Sequence, residues 1–202
     1  MTGLRDAPGL YLGFIALHLL LGHLGSSLVY RLRFGRSPLA YARRSAHGPH
    51  TAVTRRIGLA ALAWAATMVA GALSDAWVAS WPGRPLLALP PALGWGLAVP
   101  GLVGMLAAQY GMGAAFRIGV DDRERPAVQA RGLFAASRNP IYLGSFLYLL
   151  GASLWAPAPA TLCALALVGR GMHRLVLLEE SFLRARCGAE YVAYCARVPR
   201  YL

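Results

Sequence analysis

Four stretches of the chain run without a single charged side chain: residues 8–30, 57–74, 85–116 and 139–169, the longest being 32 positions. A helix needs about 20 apolar residues to cross ~30 Å of hydrocarbon. Nothing about folding in water requires runs of this kind. Composition agrees: 57% of residues are hydrophobic and only 14% are charged, where a soluble domain carries about 25% charge. Too few polar groups remain to cover a globule. An ordinary water-soluble enzyme, a disordered tail and a disulfide-stapled secreted module are all excluded. The bilayer is the implied solvent.

Proline punctuation divides the runs into spans. The first, 8–30, is too long for a signal peptide and no small-residue cleavage site follows it, so it reads as a true span. The second is expected to start at Ile57, pass Asp75 and end near Trp81-Pro82. In the third, Pro90-Pro91 is expected to start the helix and Pro100 to bend it. The fourth is interrupted by Trp155-Ala-Pro-Ala-Pro159, so it reads as a helical hairpin with arms over about 141–155 and 160–178. The first arm rises only ~22 Å, and the second meets Arg170, His173 and Arg174 after ten apolar residues. Ionisable groups at such depth line a cavity rather than face lipid. Gly101/Gly104 and Gly111/Gly113 are candidate small faces for close helix packing.

The net charge of +12 comes without any lysine: all 20 basic residues are arginine. They do not form one basic face, so no nucleic-acid partner is expected. Seven lie in 31–56, five in 117–138 and six in 170–200, leaving only Arg5 and Arg84 elsewhere. Five spans with the N-terminus outside and the C-terminus cytoplasmic place all three clusters inside, as the positive-inside rule asks. The expected fold is therefore all-α. It is a polytopic membrane bundle of about five transmembrane helices, with a short C-terminal helical hairpin and a cytoplasmic C-terminal helix. The expected location is the cell (inner) membrane.

Cysteine and histidine say less. Cys163, Cys187 and Cys195 lack metal-ligand spacing and read as reduced thiols. His18 and His23 are five apart, which separates them on a regular helix. They read as bundle histidines with satisfied hydrogen bonds. His47 and His50 have ligand spacing but no accompanying Cys or acid, so no metal is expected.

Two segments carry chemistry. In the first, Gly132-Leu-Phe134 leads to Ser137-Arg-Asn139-Pro140-Ile-Tyr142. Pro140 suits a first helical turn, and Asn139 before it is expected to cap the helix. In the second, Glu179-Glu180 ends the last apolar helix, followed by Gly188-Ala-Glu-Tyr191-Val-Ala-Tyr194 and Val198-Pro-Arg200. Acids at a helix C-terminus oppose the macrodipole. A bound cation would account for at least one of them.

The order and spacing of these pieces resemble the isoprenylcysteine carboxyl methyltransferase family of integral-membrane enzymes, which has relatives acting on phospholipid amines and small thiols. The resemblance covers 117–202. It implies a single membrane-embedded domain over 1–202, with 1–116 as a three-span scaffold and 117–202 as the cofactor-binding methyltransferase core. It also implies S-adenosylmethionine as cofactor. By position, Val128 and Gln129 before the Gly132 turn would contact the adenosyl part. Phe134 stands where the family has Tyr, and Asn139, Pro140 and Tyr142 stand in its His-Pro-x-Tyr place. Glu179 would hold the cofactor's ammonium, which suits a carboxylate in a partly dry site.

The family's substrate-contacting Arg lies four residues before the first Glu, where this chain has Leu175. Arg174, five before, is about 140° round a regular helix. It serves only if the helix is irregular near Gly169 and Gly171; Arg170 is the alternative. The charged segment 117–125 would be a lid over the adenosyl group. An amine acceptor would need a base, for which His173 and Glu180 are the candidates. Without one, the expected acceptor is a lipophilic carboxylate or thiol, with small molecules open. The alternative from another class is a non-catalytic membrane protein, a small transporter or assembly factor, working through its histidines. The sequence leaves the oligomeric state open.

Overall fold

The computed structural model describes residues 7–35, 49–113, 116 and 126–202, all of them helix or connecting loop. His47 and the charged segment 117–125 lie outside the described residues. Among the described residues, four helices are long and apolar enough to cross a membrane: α1 (Pro8–Phe34), α2 (Pro49–Leu73), α4 (Pro91–Gly111) and α6 (Pro159–Cys187). A fifth apolar helix, α5 (Pro140–Ser153), is shorter. The short α3 (Asp75–Ala79) and the C-terminal α7 (Ala189–Arg197) complete the set. The chain is a polytopic helical bundle, with its leucine-rich outer surface exposed as lipid contact demands: Leu10, Leu24, Leu32, Leu62 and Leu167 all point away from the core.

Prolines start the helices where the sequence places them. Pro91, Pro140 and Pro159 each stand in a first turn, where the missing N–H is an orphan anyway. Pro100 lies inside α4. The second span departs from expectation. It begins at Pro49, so Arg55 and Arg56 are helical rather than loop, and it ends at Leu73. Ser74 is extended and its hydroxyl accepts the Trp77 N–H at 3.1 Å. That cap ends one helix and opens another, so the span does not continue to Trp81.

Two helix pairs dominate the packing, α4 with α5 and α2 with α6. Gly94 and Gly101 of α4 interlock with Gly144 and Gly151 of α5. A Cβ on Gly101 would lie 2.4 Å from the Tyr148 nitrogen, and one on Gly144 2.6 Å from the Met105 nitrogen. Backbones can approach this closely only through glycine. Gly104, Gly111 and Gly113 have nothing within 4 Å of that position, so of the expected small faces only Gly101 serves. The expected hairpin exists, with arms Pro140–Ser153 and Pro159–Cys187. Its arms pack mainly on other helices rather than on each other, and its second arm is a 29-residue α-helix rising about 44 Å.

The largest correction concerns α1. Residues Leu20–Gly25 form a π-helix, which places residues five apart near one another. His18 and His23 are thus brought edge to face at 5.5 Å between ring centroids. Carbonyls at the π segment find partners on α4 and within α1. Gln109 Nε2 and Ser26 Oγ donate to the Gly22 carbonyl at 2.8 and 2.7 Å, and the Tyr110 hydroxyl donates to Leu21 O at 3.2 Å. His18 stacks on Tyr148 at 4.2 Å, but its Nδ1 is buried without a hydrogen bond. It is therefore not the satisfied histidine the sequence suggests.

Candidate functional site

The start of α5 and the end of α6 meet where the sequence concentrates its polar residues. Tyr142 stands in the first turn of α5, and its hydroxyl donates to Glu179 Oε1 at 2.6 Å. Glu179 does not face away from the turn; both sides of the expected site are joined. Glu180, one residue on, turns about 100° further round the helix and is buried, at 8% exposure. Its Oε1 accepts from Asn139 Nδ2 at 3.0 Å and has Arg138 Nε at 3.3 Å. The Arg138 contact is an ion pair and not an aligned hydrogen bond. Its Oε2 accepts from Arg200 Nε at 3.1 Å and Nη2 at 2.9 Å. Both oxygens of this buried carboxylate are therefore occupied, as burial of a charge requires.

Asn139 does not cap α5 with its side chain. The amide is engaged elsewhere: besides Glu180 it donates to the Arg200 carbonyl at 3.1 Å, while its own N–H donates to Ser137 Oγ at 3.2 Å. Pro140 occupies the first turn as expected.

The stretch before α5 lies against the C-terminal helix. Val128 packs on Tyr191, Tyr194 and Val198, and Gln129 is half-buried beside it. Gly132 has φ +60°, a conformation that favours glycine, and opens the 3₁₀ turn Gly132–Ala135. Phe134 in that turn is half-buried, and its carbonyl accepts the Tyr194 hydroxyl at 2.6 Å. Burial pushes the Tyr194 phenol up to about 12, with Arg138 pulling the other way. Burial likewise raises Tyr191, reinforced by Glu180 and Cys195. The hydrogen bonds to Glu180 hold the Arg200 guanidinium above its ordinary value.

Arg174 is not brought to this cluster. The helix α6 is continuous from Pro159 to Cys187, so the irregularity that Arg174 needs near Gly169 and Gly171 is absent. Arg174 and Arg170 are both exposed. His173 meets the C-terminal tail instead, its Nδ1 2.8 Å from the Tyr201 hydroxyl. Glu180, one of the two candidate bases, is committed to its arginine partners. The sequence alone does not point to Arg138 or Arg200 as partners of Glu180. The available signal was chemical: a buried acid in an arginine-rich chain must find a cation, and Val198-Pro-Arg200 stood unassigned.

The donor set suits a cationic cofactor. It offers a half-buried carboxylate at Glu179 with the Tyr142 phenol beside it. Among the described residues no group of three or more His, Cys, Asp or Glu side chains could hold a metal ion.

The phospholipid methyltransferase family matches residues 90–189, from the start of α4 to the Gly188 break. That family is related to the one the motifs resemble. Neither a curated protein nor a solved structure matches the chain.

Proposed function

We propose that the chain, whose residues 90–189 match the phospholipid methyltransferase family, transfers a methyl group from S-adenosylmethionine to a lipophilic acceptor. The observation that carries this reading is the Tyr142–Glu179 contact at 2.6 Å, which sets a carboxylate at the junction of the two motif segments. The cofactor supplies an electrophilic methyl group on a sulfonium centre.

Glu179 would hold the cofactor's ammonium, with Tyr142 fixing the carboxylate. The backbone at Val128, Gln129, Gly132 and Phe134 would border the adenosyl part, and Asn139-Pro140 would shape the turn beneath it. Holding donor and acceptor in line is the protein's main contribution, worth up to about 7–11 kcal/mol in well-oriented systems.

The acceptor we favour is a carboxylate or thiolate. Such a nucleophile is already anionic and needs no strong base, and Glu180, tied to Arg138, Asn139 and Arg200, is poorly placed to serve as one. A contact from Arg174 to the acceptor has no geometric support, because it lies about 140° round α6 from Glu179. We place the site on the cytoplasmic face of the cell (inner) membrane, where the arginine clusters lie under the positive-inside rule.

The test is thermal stability in detergent with added S-adenosylmethionine. Ligand at 100 times its Kd stabilises by about 2.7 kcal/mol, so a raised Tm is expected for wild type. Glu179→Gln should lose that shift while melting normally without ligand. No shift in wild type, with a shift on added metal, would instead favour the reading that rests on the histidines.

A further inference from the structure

The second acid of the pair has a job distinct from the first. Three separated pieces of chain converge on Glu180: the turn before α5 through Arg138 and Asn139, the body of α6 through Glu180 itself, and the tail through Arg200. Backbone contacts run in parallel. The Arg138 N–H donates to the Pro199 carbonyl at 3.0 Å. The Arg200 carbonyl accepts from Asn139 Nδ2 at 3.1 Å and from Ser137 Oγ at 3.4 Å. The tail is therefore laced along residues 137–139, and its side chain then reaches the acid behind them.

A fold-stapling role alone would be served as well by apolar residues, since buried ion pairs are often no more stable than well-packed hydrophobes. What the charged arrangement adds is direction. Its contacts end on Arg138 and Asn139, four and three residues before Tyr142, whose hydroxyl meets Glu179. We infer that Glu180 and Arg200 form a clamp by which the C-terminal tail positions the Asn139–Tyr142 turn against Glu179. In this arrangement Glu180 and Arg200 are positioning residues. The inference rests on the reading that Glu179 and Tyr142 hold the cofactor.

The experiment compares wild type, Arg200→Ala, Arg200→Lys and the exposed Arg197→Ala as full chains in detergent. S-adenosylmethionine affinity is read by calorimetry, and backbone hydrogen exchange over 137–142 is read separately. Arg200→Ala should weaken binding by about tenfold or more, the loss of a charge-assisted pair, and speed exchange at the Arg138 amide, with exchange in α4 unchanged. Arg200→Lys keeps the charge and should recover part of both effects, and Arg197→Ala should match wild type.

Arg200→Ala with wild-type affinity overturns the clamp. So does weakened affinity with unaltered exchange over 137–142, because the effect would then not run through the turn. If Arg200→Ala is not recovered folded, Arg200→Lys decides: faster exchange over 137–142 joined to weaker affinity supports the clamp, and any other combination overturns it. Wild-type protein that binds no cofactor removes the reading of Glu179, and the exchange comparison alone then decides whether Arg200 holds the turn.

Discussion

The phenol of Tyr142 and the carboxylate of Glu179 meet at 2.6 Å across 37 residues of chain. Neither helix alone could orient that carboxylate. Glu179 lies eight residues before the end of α6 at Cys187, outside the last turn where the macrodipole disfavours an acid, so the conflict expected from the sequence does not arise; the contact ties the two motif segments together.

Tyr142→Phe should therefore weaken cofactor binding less than Glu179→Gln does. A hydrogen bond to a charged group contributes about 1.5–3 kcal/mol, whereas Glu179→Gln removes the charge itself. Calorimetry on both variants and on the double variant checks this. The double variant should bind no more weakly than Glu179→Gln alone, because the phenol acts through the carboxylate.

The glycine seam predicts a sharp contrast within one helix. Gly101→Val would set a methyl-bearing carbon 2.4 Å from the Tyr148 nitrogen, so α4 and α5 must separate. Loss of folded protein is expected on size-exclusion chromatography in detergent. A Cβ at Gly104 would meet nothing within 4 Å, so Gly104→Ala should melt close to wild type.

The π segment of α1 depends on a side chain of α4. Gln109→Leu removes the amide that donates to the Gly22 carbonyl at 2.8 Å. The carbonyl keeps Ser26 as a partner, so the expected cost is about 1–2 kcal/mol. A lowered Tm measures it, and Gln109→Glu should be worse, since a carboxylate cannot donate.

Alkaline pH should loosen the C-terminal helix. Tyr194 has its phenol pushed up to about 12 from 10.0, chiefly by burial. A raised folded value favours the neutral form, so this contribution is complete below pH 10 and is lost as pH climbs from 10 towards 12. Tyrosinate absorbance should rise together with unfolding in that window. Tyr194→Phe should remove its part of the titration and also cost the hydrogen bond to the Phe134 carbonyl.

The legible parts of the fold were those with local signals. Pro91, Pro140 and Pro159 open their helices because a fixed φ and a missing N–H act within one turn. Hydrocarbon thickness alone gives the four long apolar helices of the described residues, whereas the shorter α5 emerges only from the proline break at 157–159. Ser74 is also a local signal, yet the continuing apolar run over 76–81 concealed it. The π segment was not legible, because its carbonyls are satisfied by Gln109 and Tyr110, more than eighty residues away. The same holds for Gly94, Gly144 and Gly151, whose purpose exists only once two helices are side by side. At the site, the Glu179 and Tyr142 positions could be read from motif order. The different partners of Glu179 and Glu180 could not, since those of Glu180 include a tail that folds back twenty residues later.

The two strongly packed helix pairs have a mechanical consequence. The two pairs are joined to one another by polar contacts at opposite ends of α5. Trp64 bonds Ser153 at one end, and Tyr142 and Asn139 bond Glu179 and Glu180 at the other. Losing the contacts at the site end alone would leave the Trp64–Ser153 bond and the glycine seam of α4 and α5 in place.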